Sequence, residues 1–381
     1  MKEQQGGEIK LQAQVTASPQ NAAARVVLWT GATLLITILV GLIWWTLRPA
    51  PSSLLDGSTR PSTDREVNDQ FNLAFHFLAV QNDIPLARRT SERAIALDPN
   101  FAPAHLQHAL FTVIEFFAGY TNDSKLLLEA EEEVHRAEPK VSDTDGLLLN
   151  AKTAVYLSQG RLDRIPFAKL EDFSRQGGDP TWLAILRMLG GQTDESMKLL
   201  RGWLERRPLD NPARMFMGEL LRSKGDTTNA IRFLERTLQP GPRHMTSALY
   251  LSLAYLDAGQ PNQARALLLR MRPEFEKNYL WRHAWAILLA AGGKHNEASQ
   301  FMDEENLKFA RFAWTVWSST ADFYTLQGDN VKALEWLQFA VSRGDERAFY
   351  FRRNPRLLAL HDDARFQLLL HDLELRQAAF R

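Results

Sequence analysis

The chain has 381 residues, 45 Lys+Arg against 45 Asp+Glu, and a formal net charge of zero, so it is long enough for one large or two ordinary domains and offers no basic excess to a polyanion. A nucleic-acid partner is therefore not expected. With no cysteine a disulfide framework and thiolate chemistry are excluded, and 45% hydrophobic content argues against a disordered chain.

Residues 1–25 form a polar tail too short to pack a domain. From Val26 to Leu47 runs VVLWTGATLLITILVGLIWWTL, 22 residues without a charge. At about 1.5 Å per residue such a helix spans the roughly 30 Å hydrocarbon core of a bilayer. It is expected to be a transmembrane helix, with Trp29, Trp44 and Trp45 at the headgroup levels and Arg25 and Arg48 snorkelling outward. A cleaved signal peptide is the rival, but its apolar region runs only about 7–15 residues, and RPAPSS is a poor cleavage site. Lys2, Lys10 and Arg25 before the span balance Arg48, Arg60 and Arg65 after it, so charge does not fix the orientation. Residues 48–64, rich in Pro and Ser, read as a linker.

A repeat follows. Gly191, Gly225, Gly259, Gly293 and Gly328 are 34, 34, 34 and 35 residues apart, and five positions after each comes a small residue: Ser196, Ala230, Ala264, Ala298 and Ala333. Upstream the frame continues more loosely through Asn82 with Ala87, Asn122 with Leu127, and Gly160 with Ile165, giving about eight units between Val67 and Gly344. Glycine or asparagine at the turn can adopt the left-handed conformation that ends a first helix. The small residue lets the second helix approach the first closely, and larger ones such as Leu234, Leu268 and Leu337 fill the space between units.

In the last unit Trp317, Ala321, Tyr324, Gly328, Ala333, Leu337 and Ala340 stand at fixed offsets. The fifth shows Gly218, Gly225, Ala230, Leu234 and Pro242, and the first Ala74, Leu78, Ala87, Ala94 and Pro99. On these residues the chain resembles the tetratricopeptide repeat family, whose unit is a helix A, a turn and a helix B. The resemblance implies an all-α fold, an α-solenoid of about eight helix hairpins over residues 65–345 following the single N-terminal membrane helix. Residues 346–381 read as a helical cap, with Asn354-Pro355 and Asp362-Asp363 as helix-start signals. The phrase from Asn354 to Leu370 also resembles the ending of tetratricopeptide regions joined to winged-helix regulators of the ToxR/CadC class.

Candidate chemistry is sparse. His105 and His108 could share a helix face with Glu115 nearby, but two imidazoles do not make a site, and no metal is expected. Glu129, Glu131, Glu132 and Glu133 read as a solvated helix face. No phosphate loop, nucleophile elbow, zinc-protease helix or dinucleotide fingerprint occurs, so neither enzymatic activity, a cofactor nor a small-molecule substrate is expected. In FARFAWTVWSSTADFY, Trp317 and Tyr324 are expected in the core, whereas Phe312 and Trp314 are open between core and a peptide-binding platform.

The resemblance further implies a concave groove lined by Met215, Glu219 and Arg222, then Leu249, Leu253 and Leu256, then His283, Ile287 and Ala290, then Ser318, Asp322 and Thr325. Its apolar centre and polar ends suit a peptide. The Lys/Asn set by which some family members clamp a C-terminal carboxylate is missing from these positions. The expected function is a non-catalytic, single-pass scaffold of a bacterial inner membrane whose periplasmic solenoid holds a protein or peptide partner, so that charge reversal at Leu249 and Leu253 reduces capture without unfolding. The alternative is the sensory half of a ToxR/CadC-like signalling system, against which stands a 25-residue tail too short to contain the DNA-binding domain.

Overall fold

The computed structural model describes residues 61–239 and 244–379. The apolar stretch 26–47 lies outside them, and among the described residues no helix is long and apolar enough to cross a membrane. Every regular element described is helical: nineteen α-helices, four 3-10 turns and one π turn, an arrangement compatible with an α-solenoid.

In chain order the helices are α1 (Arg65–His76), α2 (Ile84–Leu97), α3 (Ala102–Phe117), α4 (Lys125–Ala137), α5 (Gly146–Gln159), α6 (Phe167–Arg175), α7 (Thr181–Leu189), α8 (Thr193–Arg206) and α9 (Asn211–Ser223). They continue as α10 (Thr227–Thr237), α11 (Met245–Asp257), α12 (Pro261–Phe275), α13 (Tyr279–Ala291), α14 (His295–Phe301), α15 (Glu304–Ala310), α16 (Trp317–Leu326), α17 (Asn330–Ser342), α18 (Ala348–Arg353) and α19 (Ala364–Ala379). Successive helices pack in pairs, α1 on α2, α3 on α4, α9 on α10 and α16 on α17 among them. The first members also stack on one another, as α3 on α5, α11 on α13 and α13 on α16.

Local chemistry sets these boundaries. Gly191, Gly225, Gly259, Gly293 and Gly328 have φ of 76°, 82°, 69°, 74° and 78°, the left-handed region that a Cβ disfavours. Carboxylates at helix starts accept from backbone N–H groups: Asp83 from Leu86, Asp226 from Asn229 and Asp329 from Lys332. The small residues after the turns, Ser196, Ala230, Ala264, Ala298 and Ala333, have no exposed surface. Ser196 substitutes for alanine at no polar cost because its hydroxyl donates to Ala184 O at 2.7 Å, across the α7–α8 contact.

Three units depart from the expected frame. In the second, Gly119 rather than Asn122 is left-handed (φ 79°), and the residues after it extend before α4 begins. In the third, Gly160 turns as expected, but a 3-10 turn at Leu162–Arg164 delays the next helix to Phe167, so Ile165 precedes that helix rather than packing within it. In the seventh, α14 has only seven residues, and a second short helix, α15, follows it with Asp303 as N-cap.

Distant units also meet. Tyr279 N donates to Gly119 O at 2.8 Å, Asn278 Nδ2 donates to Ala118 O at 2.8 Å, and Glu346 N donates to Leu189 O at 2.6 Å. Trp314 stacks on Phe216 at 5.7 Å between centroids and meets Phe117 edge-on at 6.0 Å. Trp314 thus belongs to the core, joining residues from the second, fifth and eighth units, and Phe312 sits half-buried against Phe116. An ordinary surface helix shows one apolar stripe. In α3, by contrast, 14 of 16 residues are buried, because both the neighbouring helices and the far side of the array cover it.

Candidate functional site

The positions expected to line a concave groove are covered by the chain itself. Of the expected groove residues, Met215, Glu219, Arg222, Leu249, Leu253, His283, Ile287, Asp322 and Thr325 are buried, as are Ala290 and Ser318, while Leu256 is half-buried. Leu249 and Leu253 are 0% and 1% exposed and lie in the apolar core. Introducing a charge at either leucine would unfold the array rather than test capture, which corrects the expectation drawn from repeat position alone. His283 faces Asn306 Oδ1 at 3.3 Å and Ser319 Oγ at 3.0 Å, so residues around α15 cover that part of the face.

At the polar end of the face, α9, α11 and α16 carry Glu219, Arg222, Asp257 and Asp322, and residues 345–356 lie across them. Arg222, one turn from Glu219 on α9, donates to both its carboxylate oxygens at 2.8 and 2.7 Å and to Asp257 at 3.0 Å. From the C-terminal segment, Arg347 donates twice to Asp345 at 2.7 Å and once to Ser318 Oγ at 3.1 Å, with Glu219 at 3.4 Å. Arg356 donates to Asp322 at 2.8 Å and pairs with Asp257. Asn354 Nδ2 donates to Asp322 at 2.6 Å and its side chain caps the 3-10 turn that follows, accepting from Arg356 N.

Tyr350 sits at the centre. Its ring lies under the guanidiniums of Arg222 and Arg347, at 5.1 and 4.7 Å, and its hydroxyl accepts from Arg222 at 3.1 Å and Asn354 at 3.2 Å. Burial pushes the Tyr350 phenol up. Burial also opposes the charge on Arg222, yet Glu219, Tyr350 and Asp257 together outweigh it and keep the guanidinium above its ordinary range. Three guanidiniums therefore meet four carboxylates in a site where each charge has a partner, the condition under which buried charge is tolerated. Beside this network opens a cleft of ≈ 210 Å³ lined by Arg222, Ser223, Asp257, Tyr350, Arg353 and Asn354. Arg353 is exposed at this cleft, close enough to Gly225 that a Cβ there would sit 2.8 Å from its Nη2.

Position within the repeat singled out Glu219, Arg222 and Asp322, but not their partners Asp257, Asp345, Arg347, Tyr350, Asn354 and Arg356. A signal was present: Arg347, Tyr350, Asn354 and Arg356 fall close together directly after the last repeat.

The other singled-out polar residues disperse. His105 Nδ1 pairs with Glu133 while its Nε2 donates to Pro99 O at 2.9 Å, and His108 Nδ1 instead faces Ser91 Oγ at 3.1 Å. Glu115 pairs with Arg88. Glu131 accepts from Gln159 at 2.9 Å and pairs with Arg161, so with Glu133 it ties helices together; only Glu129 and Glu132 face water. Burial works to raise the Glu133 carboxyl, but the hydrogen bond from His105 and the neighbouring charges of His105, Arg136 and His108 together outweigh it and hold the group below its usual range. Among the described residues no group of three or more His, Asp or Glu side chains is placed to hold a metal ion.

No protein-family pattern matches the chain, and no curated protein matches it in sequence.

Proposed function

We propose that this chain is a non-catalytic tetratricopeptide-like scaffold, an α-solenoid of about eight hairpins over residues 65–345, anchored in a bacterial inner membrane through residues 26–47 and binding a protein partner on its concave face in the periplasm. One observation carries the reading: the concave face already holds a peptide segment, residues 345–356, by ion pairs, an aromatic insertion and a hydrogen-bonded asparagine. Such side-chain reading of a segment is how a repeat groove recognises a partner. The 34-residue spacing and the left-handed turn glycines support the repeat assignment. The uncharged 22-residue stretch supports the anchor.

A photo-crosslinking residue at Arg353, exposed at the cleft, tests the partner in cells. One dominant protein adduct is expected, and adducts to lipid alone would refute the reading. A periplasm-dependent phosphatase fused after Arg381 should be active, while a fluorescent protein that matures only in the cytoplasm should be dark there; the reverse pattern removes the periplasmic placement.

A further inference from the structure

The buried network raises a question that its stability does not answer. A segment serving only to close the end of a helical array needs an apolar face, and residues 345–373 have one: Phe351, Leu357, Leu360, Phe366, Leu370 and Leu373 are all buried. Adding two arginines, a tyrosine and an asparagine over three carboxylates of other helices brings desolvation that a hydrophobic replacement would avoid. What such a network does supply is register and discrimination between ligands, since a segment lacking Arg356 leaves Asp322 without a counter-charge and one lacking Arg347 leaves its own Asp345 without one.

We propose that residues 345–356 are a resident ligand, and that the concave face formed by Glu219, Asp257 and Asp322 recognises a partner segment of the same chemistry, two arginines about nine residues apart with an aromatic side chain between them, which enters by displacing the resident. This rests on the functional reading above and names the partner's chemistry. Charge complementarity carries it. Glu219 and Asp322 are fully committed to guanidinium and amide donors, two of the arginines those acids hold come from the segment, and the Tyr350 ring contacts both Arg222 and Arg347. The 210 Å³ cleft, open between Arg222, Asp257 and Arg353, gives an incoming chain access to the edge of this network without prior unfolding. The resident competes from within the same molecule, so partner affinity falls in proportion to the fraction of time the face is free.

The experiment uses the full-length chain and a fluorescent peptide of residues 345–360, with a control peptide carrying alanine at both Arg347 and Arg356. The first peptide should bind saturably, at least tenfold more tightly than the control, and at least tenfold more tightly again to the chain carrying Arg347→Ala and Arg356→Ala. Its binding should speed amide exchange in residues 345–360 while α9, α11 and α16 stay protected. Equal binding of both peptides, or binding without release of the resident, overturns the proposal. If the double variant does not fold, exchange in the wild-type chain decides: residues 348–357 opening ahead of α11 supports it, and opening only together with α11 defeats it. A dimer that forms with rising chain concentration and dissolves on adding peptide assigns the face to a second copy and overturns the partner named here. Release of the resident by the peptide, with no protein adduct at Arg353 in cells, instead overturns the functional reading and leaves the exchange standing.

Discussion

His283 shows how one buried side chain contributes to the acid response of this fold, as His244 also does. It is fully buried in α13, and burial lowers its imidazole from the ordinary 6.5 to about 4, a hydrogen bond with Asn306 opposing that shift. The unfolded chain therefore binds this proton at a higher pH than the folded one. The stability linked to His283 is fully present above pH 6.5 and is lost as pH falls from there toward about 4. The limiting loss is about 3 kcal/mol, from about 1.4 kcal/mol for each unit of difference. Urea midpoints measured between pH 7 and 4.5 should fall in the wild-type chain and fall less in His283→Gln. Parallel curves would show that another group governs the acid response.

Among the helices, the tightest constraint is the small residue that follows each turn. Ala264 has no exposed surface where α12 meets α11, so Ala264→Leu should cost about 1–3 kcal/mol in overpacking, read as a lower urea midpoint with the helical circular dichroism unchanged. An unchanged midpoint would mean the pair has room that full burial of Ala264 denies. These positions were legible in the sequence because their cause is local: a left-handed turn and a close helix contact recur wherever the unit recurs. Units with altered length were not. The left-handed residue moved from Asn122 to Gly119, Ile165 fell outside its helix, and the seventh unit broke at Asp303, since an insertion shifts the register on which alignment depends. Repeat position named Glu219, Arg222 and Asp322, which join one buried network, but it gave no hint that Leu249 and Leu253 are buried. Curvature accumulates from small rotations between units, and spacing along the chain does not encode it.

The whole molecule differs from an open array in having bonds across its span. In a simple repeat protein each unit touches only its neighbours, and one end can open without the other. Here the bonds of Asn278 and Tyr279 to the turn at Ala118 and Gly119, and of Glu346 to Leu189, tie early units to late ones. Unfolding should therefore be cooperative, with reporters placed in α2 and α17 giving one coincident urea transition. Asp322→Ala should shift both reporters equally and by about 3–5 kcal/mol, because Arg356 loses a buried counter-charge and Asn354 an acceptor. Separate transitions, or a shift confined to α17, would mean these bonds do not couple the two halves.

The position of the resident segment also sets an order of events during synthesis. Residues 345–356 leave the ribosome after α9, α11 and α16, so a nascent chain ending at α17 carries Asp322 before its counter-charge Arg356 exists, while Glu219 and Asp257 have only Arg222. Asp322 stays hydrated until Arg356 arrives, and the interior around it closes late. Lengthening the interval before that arrival, by slowing translation between Gly344 and Arg356, prolongs a period when Asp322 is open to any passing arginine.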